Sequence, residues 1–254
     1  MNQPLAFVHP SAKIAENVII EPFAYIEKNV EIGEGTWIGP HTTILEGAKI
    51  GKNCKIFPGA VIAAIPQDLK FQGEKTTAEI GDNTMIRECV TVSRGTLAKG
   101  RTIIGSNCLI MAYCHVAHDC VVGNNVILVN GATLAGEVVV DDYAILSANT
   151  LVHQFCHIGA HTMFAGNSLV GKDVPPYIRA ARNPLAYSGV NSIGLRRRGF
   201  TNETIDNIGQ AYRIIFSHGL VKEGIEEVKA KLPMSKEIEY VIKFFEESER
   251  GVIR

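Results

Sequence analysis

Read in sixes from Ile104, the sequence places a hydrophobic residue at every lead position: Ile104, Ile110, Val116, Val122, Leu128, Leu134, Val140, Leu146, Val152, Ile158, Phe164 and Val170. Four residues after each lead comes a small or β-branched side chain, from Cys108 and Cys114 through Ala132 and Thr150 to Val174. A period of six is neither the 3.6 of a helix nor the 2 of a simple strand, so it demands a repeat architecture. The same register runs from Val8, Ile14 and Ile20 to Ile62 and resumes at Ile80, Ile86 and Val92. In a chain only 46% hydrophobic, such regularity is not accidental.

The pattern predicts a solenoid of short parallel strands. β-Branched leads suit strands and point inward, small residues fit tight corners, and Gly or Asn between them supports turns such as Gly51-Lys52-Asn53 and Gly123-Asn124-Asn125. Two polar interruptions, at about 63–79 and 93–103, are excursions off the solenoid, and ordered loops on a rigid scaffold often carry function. The period stops at Pro175-Pro176, which divides the chain into a repeat domain over 1–176 and a connector with a helical domain over 177–254. In the latter, one helix starts near Thr201 or Asn202 and ends near Gly219, a second covers Val221 to Leu232, and a third carries Ile238, Val241, Ile242, Phe244 and Phe245.

The formal net charge of −1 offers no field for nucleic acid or an anionic membrane. No stretch reads as a signal peptide or a membrane span, which predicts a cytoplasmic protein without a transmembrane segment. Five of the six cysteines sit at the small position of the hexad and read as buried hydrophobes; Cys89, one place earlier in its hexad, is left without a role.

Three hexads form one turn of 18 residues in the solenoids this pattern resembles, so residues 18 apart stack at one strand spacing, ~4.8 Å. The hexads led by Val116, Leu134 and Val152 therefore share a face, and His118, Gly136 with Glu137, and His153 with Gln154 form a column. None holds an inward position, so the column, with the adjacent Asp119, is expected to face outward. His118-Asp119 fits a base with an orienting carboxylate. A solvated pair fits the dipeptide as well, and membership of the column brings the two accounts into balance. A single-chain zinc site is disfavoured, because His118 and His153 are two coils, ~10 Å, apart.

With these residues in hand, the chain resembles the acyl carrier protein:UDP-N-acetylglucosamine O-acyltransferases of lipid A biosynthesis. The most specific segments are Gln67-Asp68-Leu69-Lys70, His115 to Cys120, Ala132 to Gly136, His153 to Cys156, Asp173 to Tyr177 and Arg197 to Phe200. The resemblance implies a mainly β fold: a left-handed parallel β-helix of hexapeptide repeats with a C-terminal α-helical domain, assembled as a homotrimer with clefts between subunits. It implies transfer of an (R)-3-hydroxyacyl chain from acyl carrier protein to the 3-hydroxyl of UDP-N-acetylglucosamine. The acyl group would arrive on the carrier's phosphopantetheine, with no other cofactor and no metal.

Residue by residue, the resemblance makes His118 the general base, Asp119 its orienting partner and Gly136 an oxyanion donor through its backbone N–H. Gln67, Asp68, Lys70, His115, Glu137, His153 and Gln154 would line the sugar, pantetheine and acyl sites. Asn191, Arg197 and Arg198 would hold the uridine diphosphate, where a guanidinium suits phosphate oxygens. Met163 and Gly166 match the acyl-length ruler, and Gly166 implies a groove open to a long chain. Three positions depart from the family's pattern: Glu137 and Pro184 stand where histidines occur, and Ile193 where a glutamate occurs. The rival readings are a sister N-acyltransferase, whose members carry a further domain ahead of the solenoid, a β-helical zinc enzyme, and a noncatalytic scaffold.

Overall fold

The computed structural model describes residues 4–254. Most strands are two residues long and end on a hexad lead, as in Phe7–Val8, Lys13–Ile14 and His115–Val116. They stack into three sheets that form the faces of a left-handed parallel β-helix. The first face runs from Phe7–Val8 to Leu169–Val170, the second from Lys13–Ile14 to His157–Ile158, and the third from Ile19–Ile20 through Met163–Phe164 to its continuation beyond the repeats.

Packing explains the period. Leads such as Ile20, Ile62, Ile110, Val116, Leu128 and Leu134 have no exposed surface, and neither do the small residues Cys54, Cys120, Ala132 and Ala144 that fill the corners. Among the described residues all six cysteines are free. Burial pushes the Cys108 and Cys114 thiols up to about 11 and the Cys120 thiol up to about 12, so these sulfurs pack as small hydrophobes. Three places after most leads the backbone enters the left-handed region, at φ 55° in Asn17 and 58° in Asn125, for example. Asn tolerates this conformation better than most residues. Cys89, with φ 56° and an exposed side chain, occupies the same corner position, which is the role its sequence position left open.

Pairing continues past the two excursions, with one register shift between Ile62 and Ala64 where the first loop leaves. On the first face Thr43 pairs with Val61, Val61 with Thr91 and Thr91 with His115, so each loop bulges out and the chain rejoins the ladder one coil on. After the last repeat, Ile178–Ala181 extends the third face and pairs antiparallel with Ala186–Val190. Helices α1 (Ser192–Arg197), α2 (Asn202–Ser217), α3 (Val221–Lys231) and α4 (Lys236–Glu247) follow. The last three agree with the sequence expectation; α1 and the antiparallel strand were not foreseen. Thr201 and Ser235 cap α2 and α4 by accepting from the amides of Thr204 and Ile238. Among the described residues no helix is long and apolar enough to cross a membrane.

The helical part is fastened to the solenoid by buried polar and aromatic contacts. The fully buried Tyr212 of α2 donates to the Pro176 carbonyl at 2.6 Å, and Tyr240 of α4 accepts from the Ala160 amide at 3.1 Å while donating to Asp141. His161 stacks between Tyr143 and Tyr177 and meets Phe200 edge-on. Burial, reinforced by the nearby Arg198 charge and opposed by Asp142, pushes its pKa down to about 4. The unfolded chain would take this proton near the ordinary 6.5. Between those values the unfolded state binds more protons, so the His161 contribution makes stability fall as pH drops from 6.5 towards 4. His161→Phe should flatten that part of the curve, which unfolding midpoints of both proteins across this pH range will measure.

Candidate active site

Both excursions and the whole histidine column lie on one edge of the prism, where the chain turns from the first face to the second. The first loop joins Val61–Ala64 to Thr77–Ile80, and the second joins Thr91–Ser93 to Arg101–Ile104. The next three coils turn the same corner at 117–120, 135–138 and 153–156. Successive coils are ~4.8 Å apart. The ladder thus brings the two loops, His118, Gly136 and His153 onto one edge in consecutive layers.

His118 is about four-fifths buried, and its Nδ1 lies 2.9 Å from Asp119 Oδ2. Asp119 does not face outward as expected: its side chain is fully buried, at a corner with φ 60°. The second loop covers it. Thr96 donates its hydroxyl to Oδ2 at 2.6 Å and its amide to both oxygens at 3.0 and 3.1 Å, and the Lys99 amide donates to Oδ1 at 3.2 Å. The Asp119 amide in turn donates to the Thr102 hydroxyl at 2.8 Å. Burial alone would push this carboxyl up, but the Thr96 hydroxyl, the His118 ring and the Thr96 amide outweigh it and hold Asp119 below the usual carboxylate range. A carboxylate beside Nδ1 keeps the proton on that nitrogen and leaves the Nε2 lone pair free to accept another.

Nε2 points towards two further groups. A Cβ built on Gly136 would lie 2.6 Å from both Cε1 and Nε2 of His118, so the imidazole occupies the space a side chain would need. Two places after a lead the corner amide is not used by the ladder. At some corners a side chain from the next coil caps it, as Asn124 does for the Ser106 amide and Asp142 for that of Asn124. Gln154 holds the equivalent place beyond Gly136 and is exposed without capping it, which leaves the Gly136 N–H free to donate. From the first loop, Asp68 accepts from the Lys70 amide at 3.0 Å and sets its other oxygen 3.9 Å from His118 Nε2. That gap is too long for a hydrogen bond, so Nε2 and this oxygen face the cavity side by side. Asp68, Lys70, Glu74, Leu97, His118 and Glu137 line a cavity of about 210 Å³ here. The Glu137 carboxylate lies 4.0 Å from Lys99 Nζ.

Other candidates stand nearby without entering this cavity. His115, one residue before its lead, has Nδ1 2.7 Å from Thr91 Oγ1, and burial, with a smaller effect of His118, lowers its pKa. Gln67 is exposed on the first loop. His153 borders an apolar groove of about 650 Å³ floored by Thr133, Leu151 and Leu169 and overhung by Pro184 and Leu185.

Asn191, Arg197 and Arg198 are not brought to this edge within one chain. They line a cavity of about 660 Å³ with Met163, Arg179 and the exposed Ile193, against the third face. The Asn191 side chain has structural duties there: Oδ1 accepts from Gly194 N at the start of α1, and Nδ2 donates to the His161 carbonyl at 2.9 Å. Arg198 lies over the Tyr143 ring, is partly buried and has a buried Nη1 without a hydrogen-bond partner. Gly166 is exposed, and an added Cβ would meet only the Ala148 oxygen at 3.6 Å. Among the described residues no three His, Cys, Asp or Glu side chains converge as metal ligands.

Thr96, Lys99 and Thr102 were not singled out from sequence. Their one visible signal is the position of the second excursion, which interrupts the phase count one coil before His118.

Comparison with known proteins finds relatives over the whole chain. Residues 173–253 match the family described as UDP N-acetylglucosamine O-acyltransferase, domain 2, and residues 29–64 and 101–136 match the bacterial transferase hexapeptide repeat. An acyl-[acyl-carrier-protein]–UDP-N-acetylglucosamine O-acyltransferase of Thermodesulfovibrio yellowstonii is 50% identical over 191 residues, 74% of each chain. The crystal structure of LpxA, a UDP-N-acetylglucosamine acyltransferase from Bacteroides fragilis, is 57% identical and superimposes over all of both chains with a TM-score of 0.99. A UDP-N-acetylglucosamine acyltransferase of Francisella novicida is 45% identical, with a TM-score of 0.96 over all of this chain and 94% of that one.

Gly136→Ala should turn the His118 ring away from Asp119, because the imidazole is the movable partner in the clash. A crystal structure of the variant should show the 2.9 Å contact broken in an otherwise unchanged solenoid.

Proposed function

The chain belongs to the acyl-[acyl-carrier-protein]–UDP-N-acetylglucosamine O-acyltransferases, and from that premise we propose that His118 is the general base of the transfer. The acceptor is the 3-hydroxyl of UDP-N-acetylglucosamine, and the donor is an (R)-3-hydroxyacyl thioester on the phosphopantetheine of acyl carrier protein. His118 Nε2 takes the hydroxyl proton as the oxygen attacks the thioester carbon. The Gly136 N–H donates to the carbonyl oxygen as it gains negative charge. When the carbon–sulfur bond breaks, the imidazolium returns its proton to the leaving thiolate. Asp119 keeps Nδ1 protonated and favours the transient positive charge on the ring. Asp68 accepts from another hydroxyl of the sugar and orients it with Lys70.

The observation that carries this reading is the placement of Nε2, which has no hydrogen-bond partner and faces a cavity beside an unpaired Gly136 amide while Nδ1 lies 2.9 Å from a buried carboxylate. No cofactor enters the scheme. The nucleotide-binding candidates Asn191, Arg197 and Arg198 reach the reaction from a neighbouring copy in a homotrimer, which reconciles their place on the third face with a catalytic edge between the other two. The open position at Gly166 lets the acyl groove take a long chain, with Met163 at the same end.

A transfer assay with UDP-N-acetylglucosamine and hydroxyacyl carrier proteins of graded length tests the proposal. His118→Ala should lower kcat by ~10²- to 10⁴-fold and leave nucleotide binding largely intact. Full turnover in the variant would remove His118 from this role.

A further inference from the structure

The second loop has no part in the scheme above, yet it makes most of the hydrogen bonds to the buried carboxylate. Asp119 is completely buried, and a carboxylate in such a place needs several donors. Four of the contacts it receives come from 96–99: one from the Thr96 hydroxyl, two from the Thr96 amide and one from the Lys99 amide. The shortest, from the Thr96 hydroxyl at 2.6 Å, goes to Oδ2, the oxygen that faces His118 Nδ1 at 2.9 Å. Thr96 is itself buried, and its hydroxyl oxygen accepts from the Ala98 amide at 3.2 Å, which orients the O–H towards Asp119.

We propose that Thr96 is a positioning residue for the transfer: its hydroxyl fixes the rotamer of Asp119, and through Oδ2 the orientation and tautomer of His118. The inference rests on reading His118 as the base. Thr96, Leu97 and Ala98 all border the cavity, but the Thr96 hydroxyl is turned to Asp119 Oδ2 at 2.6 Å, so it acts through that carboxylate. The loop therefore both walls the site and holds its carboxylate.

The same geometry fixes the sign of a pH effect. The charged or titratable groups around the pair are Asp68 from the first loop, His115 on the preceding strand, Lys99 on the second loop and Glu137 on the next coil, with Lys70 and Glu74 across the cavity. None of these replaces a hydroxyl donor to Oδ2. Removing that donor leaves more negative charge on Oδ2 opposite Nδ1, which favours the protonated ring over the neutral one, so the acid limb of the rate profile moves to higher pH.

Thr96→Val, nearly isosteric, tests this in the full chain alongside Thr96→Ser and His118→Ala. With the backbone donors still present, Thr96→Val should lose about tenfold or more in kcat, keep KM for the nucleotide within about twofold, and move the acid limb of the rate profile up by ~0.5–1 pH unit. Thr96→Ser should restore both kcat and the limb, a rescue that a purely structural role would not couple to the pH profile. If valine unfolds the loop, seen as a lower thermal midpoint, Thr96→Ala should give a smaller shift in the same direction. An unchanged acid limb in both non-hydroxyl variants, or a serine variant as impaired as the valine one, overturns the inference. Loss of activity in His118→Ala beside a wild-type Thr96→Val rejects the role of Thr96 alone, whereas an active His118→Ala rejects the base on which it rests.

Discussion

Each coil of this solenoid satisfies its backbone through the next. Amides and carbonyls pair across a parallel ladder on all three faces, and the inward leads close the interior without exposed surface. This constraint holds the backbone rigid and claims only the lead and small positions of each hexad for packing. Residues at the corners are free for other uses, and any two of them on one edge are set one strand spacing apart, ~4.8 Å per coil. The edge that carries the candidate site follows from that layering. His118 and Gly136 meet because their coils are adjacent, and the glycine is required because the imidazole fills the place of its side chain.

Two loops enter this edge while the ladder continues past them, with one register shift where the first loop departs. The first brings Asp68 to within 3.9 Å of Nε2, on the substrate side of the imidazole. The second closes over the opposite side and converts a corner aspartate into a buried, well-donated carboxylate. Removing a carboxylate from water is costly, and here the donors of Thr96 and Lys99 together with the His118 ring offset that cost. The result is an imidazole whose orientation is fixed by the protein, the preorganisation that the proposed general base requires.

The sequence made the repeats legible because the solenoid leaves no freedom at its inward positions: an aliphatic residue every sixth place has no other explanation. The column of His118, Gly136 and His153 followed from counting by 18, which holds in the uninterrupted run after Ile104. The same count fails across the insertions, so the return of the second loop onto Asp119 could not be read from spacing, and the carboxylate was expected outside. Helices α2 to α4 announced themselves by amphipathic spacing and capping residues. Helix α1 is too short to show a period, and it is started by Asn191, a residue whose side chain the sequence suggested only for nucleotide binding. Glu137, a departure from the family pattern, finds its nearest charged partner in Lys99, which no pattern within the repeats could have revealed.

The proposed transfer requires the acceptor hydroxyl to reach His118 Nε2 on the side of Gly136. A crystal structure of the protein with UDP-N-acetylglucosamine measures this directly. The account predicts the sugar 3-oxygen within ~2.6–3.2 Å of Nε2, with the diphosphate held by Arg197 and Arg198 of a neighbouring copy. A sugar bound with its 3-hydroxyl away from His118, or a nucleotide held wholly in the third-face cavity of one chain, would contradict it.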